Sequence, residues 1–129
     1  MSTSESTTNG VSIEVDARYS AEHSAPHLSQ WFFLYTIRIR NLGDEAVQLV
    51  SRHWMITDAT GRVEEVRGPG VVGEQPVLEP GASFEYTSGC PLQTPFGWMR
   101  GRYEMVAAGR RRFHAEIASF ELRQPNALH

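Results

Sequence analysis

The amino-acid sequence predicts an all-β domain: an antiparallel β-sandwich of the fibronectin type III or immunoglobulin-like kind, with about seven strands. Apolar and polar residues alternate with period two along most segments, as in strands that have one buried and one solvated face. The 11 glycines and 7 prolines divide the chain into short segments. Apolar residues do not recur at helical spacing over successive turns, so a long helix is not expected. A small barrel is the alternative architecture.

The segments that alternate like strands can be placed in order along the chain. They are residues 11–15, 33–40, 47–56, 63–66, 82–87, 99–105 and 115–122. Two of these segments change the phase of their apolar residues partway, and a one-residue slip would place half of the apolar set in water. We therefore predict a β-bulge near residues 50–52 and another near residues 118–119.

Turn residues predict how the strands are connected. Residues 41–44 (Asn-Leu-Gly-Asp) and residues 58–61 (Asp-Ala-Thr-Gly) are expected to form hairpin-like connections. Residues 79–81 place proline and glycine as a type II turn does. A short helical turn is expected at residues 26–30.

The two ends of the chain lack the pattern of the middle. Residues 1–9 are rich in serine and threonine and offer no apolar anchor, so the sequence predicts a disordered N-terminal tail. Residues 125–129 are expected to form a frayed C-terminus. Residues 10–124 form one predicted sandwich domain, because a chain of 129 residues suits a single domain and no linker divides it.

Composition and charge exclude several classes of function. The net charge of −3 gives no bulk reason to bind DNA directly. All 12 basic residues are arginines, and the lack of lysine excludes Schiff-base chemistry and a lysine-dependent P-loop. The lone cysteine, Cys90, excludes an internal disulfide and suits a reducing compartment. No stretch is apolar enough to span a membrane or to act as a secretory signal, so we expect a cytoplasmic location.

The most conspicuous motif is Gly-Pro-Gly-Val-Val-Gly at residues 68–73, which matches G-x-G-x-x-G. A dinucleotide-binding fingerprint needs a helix after this motif, and Pro76 and Pro80 prevent one. Pro69 also lacks an N–H group that a phosphate cradle would use. Two interpretations stay open: a glycine-rich connection between strands, or an anion-binding nest beside the Arg67 cation. The candidate ligand-binding residues are Arg67, Gly68, Gly70 and Gly73.

A second candidate surface lies on one predicted strand. Trp98, Arg100 and Arg102 share the same parity, so their side chains are expected on one solvated face. Exposed tryptophan beside arginine is typical of binding hot spots. This face is therefore a candidate site for an unknown protein partner. The alternative is a solvated face whose arginines are neutralised by nearby carboxylates.

No pattern in the sequence predicts a catalytic or metal site. His23 and His27 are four residues apart, but a proline lies between them and no further ligand pattern accompanies them. Cys90 has no nucleophile signature and no evident base. We predict no catalytic residue, no resident metal and no cofactor. Weak Mg²⁺ binding by loop carboxylates such as Glu64 and Glu65 stays open, because Mg²⁺ needs few protein ligands.

Several motifs together resemble the bacterial ApaG family. The matching residues run from Tyr35 to Ile39 with Asn41, from Arg52 to Asp58 with Gly61, and from Arg67 to Tyr103. The last stretch includes RGPGVVGEQP, LEPG and FEYTSGCPL. The resemblance spans residues 10–123 and implies a fibronectin type III-like β-sandwich. It maps the family's glycine motif onto Gly68, Gly70 and Gly73.

The resemblance also implies a function. The family is linked to cobalt and magnesium resistance or efflux in bacteria, and no enzymatic activity is established for it. We therefore expect a non-catalytic ApaG-type binding module that acts through protein–protein interaction and affects metal tolerance indirectly. The alternative is a sensor that binds a pyrophosphate-containing nucleotide, such as diadenosine tetraphosphate, weakly at residues 68–73. An enzyme with an unrecognised site is a third hypothesis.

Overall fold

Two antiparallel β-sheets face each other in the computed structural model, which describes residues 2–125. Within that range the chain forms nine strands: β1 (Ser2–Thr8), β2 (Val11–Tyr19), β3 (Trp31–Asn41), β4 (Val47–Asp58), β5 (Val63–Pro69), β6 (Val77–Leu78), β7 (Ser83–Leu92), β8 (Phe96–Ala107) and β9 (Arg112–Arg123). The first sheet has the order β1-β2-β3-β7. The second sheet has the order β5-β4-β8-β9, with β6 beside β4. The predicted two-sheet sandwich is confirmed, and the strands beyond the predicted set are β1 and β6.

The core is filled from the inner faces of both sheets by the alternating apolar residues. Phe33 and Ile37 of the first sheet and Leu49 of the second are fully buried. Trp54 of β4 lies between the sheets, and its ring packs edge-on against Tyr35 of β3 at a centroid distance of 5.5 Å. Strands β3 and β4 therefore form the centre of the sandwich.

Both predicted β-bulges are confirmed. Strand β4 shifts its register on β8 between Leu49 and Ser51. As a result Leu49, before the bulge, and Trp54, after it, both face the core. The second shift lies where β8 faces residues 118–119 of β9. Each bulge lets one long strand keep its apolar side chains inside across a change of phase.

Most of the predicted turns are also confirmed. Residues 58–61 join β4 to β5 as a hairpin. Gly81, in the proline–glycine turn before β7, has a φ of 84°, as the third residue of a type II turn requires. A 3₁₀ turn at Pro26–Leu28 lies within the segment expected to be helical.

The prediction for residues 41–44 was wrong. These residues do not close a hairpin but carry the chain from β3 in the first sheet to β4 in the second. The buried Asn41 side chain fixes this crossing, because its amide donates to the carbonyls of Glu45 at 2.7 Å and Leu78 at 2.9 Å. Asparagine and glycine therefore predict a turn here, but they do not predict whether the next strand pairs with β3 or joins the other sheet.

The prediction of a disordered tail at residues 1–9 was also wrong for residues 2–8. These residues form β1, which pairs with β2 along its whole length, from Ser2 opposite Ala17 to Thr8 opposite Val11. The sequence argument required apolar side chains for anchoring. The structure anchors this segment through its main chain and its hydroxyl groups instead.

Hydroxyl groups of β1 form hydrogen bonds with the main-chain N–H and C=O groups along the outer edge of β9. Ser4 Oγ donates to the Ala118 carbonyl at 2.8 Å, and Ser6 Oγ donates to the Glu116 carbonyl. In return, the Glu116 N–H donates to Thr8 Oγ1 at 3.2 Å, and the Glu121 N–H donates to Ser2 Oγ at 3.0 Å. We call this contact the closed seam; its members on β1 are Ser2, Ser4, Ser6 and Thr8.

Among residues 2–125, no such seam forms on the opposite side of the sandwich. Its two edge strands are β7 of the first sheet and β5 of the second. Strand β7 contacts β3 extensively and no other strand to a comparable extent, whereas β1 packs along β9. We call the side with β5 and β7 the open side.

Residue 1 and residues 126–129 lie outside the described residues. Most of the predicted frayed C-terminus, residues 125–129, is therefore not described.

Candidate functional site

The glycine motif is divided between a strand and a tight turn. Strand β5 continues through Pro69, so Gly68 is part of the sheet. The turn is closed by Val71 and Glu74, whose N–H groups donate to each other's carbonyls at 2.8 and 2.9 Å. Its two central residues, Val72 and Gly73, have φ values of 44° and 79°. A two-residue turn with positive φ at both positions is a type I′ hairpin turn.

Each glycine of the motif has a local structural reason. A Cβ atom at Gly68 would lie 3.1 Å from the guanidinium nitrogens of Arg52. Gly70 has a φ of 60°, and a Cβ atom there would overlap the carbonyl of Glu74. Gly73 occupies the left-handed position of the turn. These contacts support the interpretation of the motif as a shaped connection between strands.

The hairpin offers few free donors for an anion. The Gly70 N–H donates to the Val50 carbonyl at 2.8 Å, and the N–H groups of Val71 and Glu74 are used within the turn. Pro69 has no N–H group. The Val71 side chain is 1% exposed and belongs to the core. An anion-binding nest needs several converging N–H groups, and most of those in this segment already have partners.

Arg52, which the sequence analysis did not single out, holds the glycine segment in place. Its Nη1 donates to the carbonyls of Pro69 at 3.0 Å and Gly70 at 2.9 Å. Within residues 2–125 it makes no ion pair with a carboxylate. Arg52 lies opposite Gly68 only through the register of β4 and β5, so the sequence by itself contained no signal for this contact.

A hydroxyl pair crosses the core near Arg52. The hydroxyl groups of Tyr86 on β7 and Tyr103 on β8 lie 2.5 Å apart and link the two sheets. Burial raises the pKa of both phenols, so both stay neutral and hydrogen-bonded. The pair satisfies two polar groups inside the sandwich and provides no acid or base near neutral pH.

Arg67 and Arg102, which the sequence assigns to separate candidate sites, lie in one row across the outer face of the second sheet. Arg67 of β5 is opposite His53 of β4, and His53 is opposite Arg102 of β8. We call these three side chains the basic row. They border one surface hollow together with His114 and Glu104. The two candidate surfaces are therefore neighbours on a single face.

Glu65 neutralises part of the basic row. Its Oε1 lies 2.8 Å from His53 Nε2 and 3.3 Å from Arg67 Nη2. The hydrogen bond with His53, and after it the charge of Arg67, lowers the pKa of Glu65. This carboxylate is fully ionised at neutral pH and is shared between two partners. Arg102 forms no ion pair among residues 2–125, although its charge also contributes to the lowered pKa of Glu65.

Trp98 lies on the same outer face, beside the unpaired arginines. It is 41% exposed, and its ring meets that of Phe96 edge-on at 5.6 Å. Trp98 and Val63 of β5 lie on either side of Thr57 of β4, and Val63 is 56% exposed. Within residues 2–125, neither Arg100 nor Arg102 forms an ion pair. The face thus combines an apolar platform with cations that have no internal partner; we call it the Trp98 face.

A cleft of about 520 Å³ opens between the sheets at one end of the open side. The side chains of Trp31, Ile56 and Leu92 give it an apolar lining. Asp58, Arg62 and Glu64 contribute charged groups to its rim. The sequence analysis missed this cleft, because its lining residues come from four strands, β3, β4, β5 and β7, that no local pattern places together.

The remaining candidate groups do not assemble into a reactive site. Burial raises the pKa of the Cys90 thiol to about 12, so little thiolate is present at neutral pH. His23 Nδ1 lies 2.7 Å from Ser20 Oγ in the loop after β2. In the described part of the chain no three His, Cys, Asp or Glu side chains are grouped as metal ligands would be. No helix between residues 2 and 125 is long and apolar enough to cross a membrane.

The fold and these surfaces define a fibronectin type III-like β-sandwich. The glycine motif at residues 68–73, which we call the glycine hairpin, lies at one sheet edge, and the Trp98 face lies on the same sheet. The family model for the ApaG domain matches residues 21–107. This match covers more than half of the chain and includes the glycine hairpin. The chain belongs to the ApaG family.

Relatives and solved structures agree with this assignment. Protein ApaG of Methylorubrum populi is 55% identical over 119 residues, which cover 92% of each chain. Protein ApaG of Bordetella pertussis is 52% identical over 92% of this chain and 91% of its own. A crystal structure of an ApaA protein from Bordetella pertussis has 51% identity and a TM-score of 0.88, covering 91% of this chain and 95% of that one. The C-terminal domain of wzt, with 10% identity and a TM-score of 0.57 over 98% of this chain and 80% of its own, shares the fold alone.

Proposed function

We propose that this chain is a non-catalytic binding module that acts through protein–protein contact at the Trp98 face. One observation supports this most strongly: Arg100 and Arg102 have no ion-pair partner among residues 2–125 and lie beside a half-exposed tryptophan. Tryptophan and arginine are the residue types that dominate binding hot spots. Neither an exposed tryptophan nor arginines without ion pairs stabilise a face that contacts only solvent.

The partner that suits this face is an acidic protein segment with an apolar side chain. Arginine forks bind carboxylates with two parallel hydrogen bonds, which favours Asp or Glu on the partner. The platform formed by Trp98 and Val63 would receive the apolar side chain. The basic row continues this face toward β5, where Glu65 neutralises part of its charge, so Arg100 and Arg102 are the main contacts for an acidic segment.

The link of the family to cobalt and magnesium resistance enters this proposal indirectly. The module binds a partner, and the partner acts on metal tolerance or efflux. We place the module in the cytoplasm, since its lone buried cysteine suits a reducing compartment. This assignment requires no catalytic residue on the chain.

The alternative, a sensor of a pyrophosphate-containing nucleotide, has a weaker basis at residues 68–73. Most N–H groups of the hairpin already have partners, and Arg67 is paired with Glu65. A polyphosphate would have to use the basic row, where Arg102 forms no ion pair among the described residues. We expect ATP or diadenosine tetraphosphate to bind with a dissociation constant of about 1 mM, or about 4 kcal/mol.

The test is a crosslinking pull-down from the native cell with matched variants. Trp98→Ala and the double variant Arg100→Gln/Arg102→Gln alter the proposed face. The control is Arg18→Gln/Arg40→Gln, which removes two exposed arginines of the first sheet that form no ion pair among the described residues. We expect each face variant to reduce capture of the partner about tenfold, as loss of a hot spot does, and the control to leave it unchanged. Equal capture by all variants would contradict the proposal.

A parallel titration separates the two hypotheses. Isotope-labelled protein is titrated with ATP and with diadenosine tetraphosphate, with and without Mg²⁺. Micromolar binding with shifts centred on residues 67–74, lost in a folded Gly70→Ala variant, would favour the nucleotide sensor. Millimolar binding would support the assignment of these residues as scaffold.

A further inference from the structure

Strand β7 is an edge strand with unpaired main-chain groups along the open side. The N–H of Ser20 donates to the Phe32 carbonyl, which shows that the backbone of residue 32 faces β2. Because backbone groups alternate in direction along a strand, residues 33, 35, 37 and 39 of β3 face β7. Their partners on β7 have even numbers. The N–H and C=O groups of Glu85, Thr87 and Gly89 therefore point away from the sheet.

No described element of the protein covers this edge. Among residues 2–125, the main-chain hydrogen bonds outside the strand pairs include none to the main chain of Glu85, Thr87 or Gly89. The devices that blunt a strand edge are also sparse on β7, with one proline, Pro91, near its end and one charge, Glu85, that is paired to Arg38 at 3.0 Å. By contrast, the edge of β9 is covered by the closed seam.

The 520 Å³ cleft begins where this free edge ends. Pro91 and Leu92 of β7 form one wall, and Ile56 of β4 forms the other. Its volume falls within the roughly 300–1,000 Å³ of small-ligand sites. In a strand added to β7, alternate side chains would point inward, toward the gap between the sheets. A side chain near the Leu92 end would then reach the cleft.

The charge at the cleft favours one kind of side chain. Asp58, Arg62, Glu64 and the imidazole of His23 are its titratable groups. Arg62 acts electrostatically on Asp58, whose carboxylate also accepts hydrogen bonds from the turn. Glu64 makes no ion pair among the described residues. An added strand with a basic residue would provide its missing partner.

We propose that the free edge of β7 accepts an extended peptide segment of a partner by β-strand addition, with an apolar side chain in the cleft and a basic side chain at Glu64. Main-chain hydrogen bonds provide affinity in this mode, and the side-chain pocket provides selectivity. This site is distinct from the Trp98 face, which lies on the outside of the second sheet and suits an acidic segment. The inference does not depend on the proposed function.

The test begins with a phage-displayed library of random linear decapeptides selected on the full chain. We expect enriched sequences that alternate apolar and polar residues and contain Lys or Arg at a fixed place. Methylation of every second backbone nitrogen of a selected synthetic peptide should reduce its affinity about tenfold in one phase and little in the other. Failure to enrich peptides, or equal loss in both phases, would overturn the proposal.

Variants of the protein then locate the peptide. Glu64→Gln should weaken a selected basic peptide about threefold to tenfold, whereas Glu5→Gln should not. Glu5 is a matched control, since it is an exposed carboxylate at the other edge of the first sheet and forms no ion pair within residues 2–125. Peptides that lose affinity with Arg100→Gln/Arg102→Gln but not with Glu64→Gln would belong to the Trp98 face and would contradict this site.

Sedimentation equilibrium of the protein alone tests the competing occupant, a second copy of the chain. We expect a monomer at micromolar concentration. A dimer that dissociates in a Thr87→Pro variant, which removes an N–H from the free edge, would show that a second β7 fills this edge. That result would overturn the assignment to a partner peptide.

Discussion

The two long sides of this β-sandwich treat their edge strands in opposite ways. On one side, hydroxyl groups of β1 bond the N–H and C=O groups of β9, so that the first sheet is fastened to the second. On the other side, β5 and β7 remain apart and the interior is reached through a cleft. Unpaired strand edges invite other chains. The closed seam therefore contributes to stability, and the open side leaves one edge for recognition.

The open side is ordered even though it is not closed. Arg52 fastens the end of β5 by donating to the carbonyls of Pro69 and Gly70, and the type I′ turn after it seats Val71 in the core. The glycine motif that resembles a phosphate-binding loop thus shapes the end of an edge strand. Most N–H groups of this motif form hydrogen bonds within the protein. The side chains of Arg100 and Arg102, by contrast, face solvent.

The largest effect is expected from removing the closed seam. Deletion of residues 2–8 removes the hydroxyl bonds to β9 and the pairing with β2, and exposes two edges at once. With about 1 kcal/mol for each lost hydrogen bond, we expect a loss of at least about 4 kcal/mol, and a fall in Tm of roughly 10–20 °C. Calorimetry measures this directly. An unchanged Tm would show that β1 is not part of the folded domain.

Gly70→Ala should have the next largest effect, on the open side. The substitution places a Cβ at a φ of 60° and against the Glu74 carbonyl. We expect a loss of about 2–3 kcal/mol, in line with the cost of strained backbone. Gly73→Asn is the matched control, since Gly73 has open space around it and asparagine tolerates positive φ. Denaturant unfolding that gives equal losses for the two variants would contradict this account of the hairpin.

A single hydroxyl of the seam should contribute less. Ser4→Ala leaves the Ala118 carbonyl without its donor, and we expect a loss of about 1 kcal/mol. Thr3→Ala on the solvent face of the same strand should change the free energy of unfolding by less than about 0.5 kcal/mol. Urea titration of both variants shows whether the inward hydroxyls are specific. Similar losses for the two would indicate that only main-chain pairing matters.

The smallest effect concerns Glu65 on β5. Hydrogen bonding to His53 and the charge of Arg67 lower its pKa in the folded state below the ordinary value of 4.5. Its stabilising contribution is therefore present above pH 4.5 and is lost as the pH falls through the lower folded-state pKa. The Tm difference between wild type and Glu65→Gln should shrink on acidification below that pH. A difference that grows instead would show that the carboxylate is not stabilised by these partners.

Local patterns predicted much of the fold. Alternation placed the main strands, the phase changes placed both bulges, and the pair Pro80–Gly81 predicted a type II turn. These features are fixed by neighbouring residues, so a single sequence contains them.

What the sequence did not predict depends on contacts between distant segments. Apart from Glu5, strand β1 consists of serine and threonine, so it has no apolar period. Its partners on β9 lie more than a hundred residues away. The basic row depends on the register of three strands, which brings Arg67 and Arg102 to either side of His53. The cleft forms because the edge strands β5 and β7 of the two sheets are not in contact at this end of the sandwich. None of these follows from spacing along the chain.

Amide hydrogen exchange of the protein alone compares the two sides most directly. The amides of Glu116 and Glu121 on β9 donate to β1 hydroxyls, and we predict that they are protected. The amides of Glu85, Thr87 and Gly89 on β7 point to the free edge, and we predict exchange close to the rate of an unfolded chain, with protected neighbours at Tyr86, Ser88 and Cys90. Uniform protection along β7, or fast exchange at both β9 positions, would contradict the account of one closed and one open side.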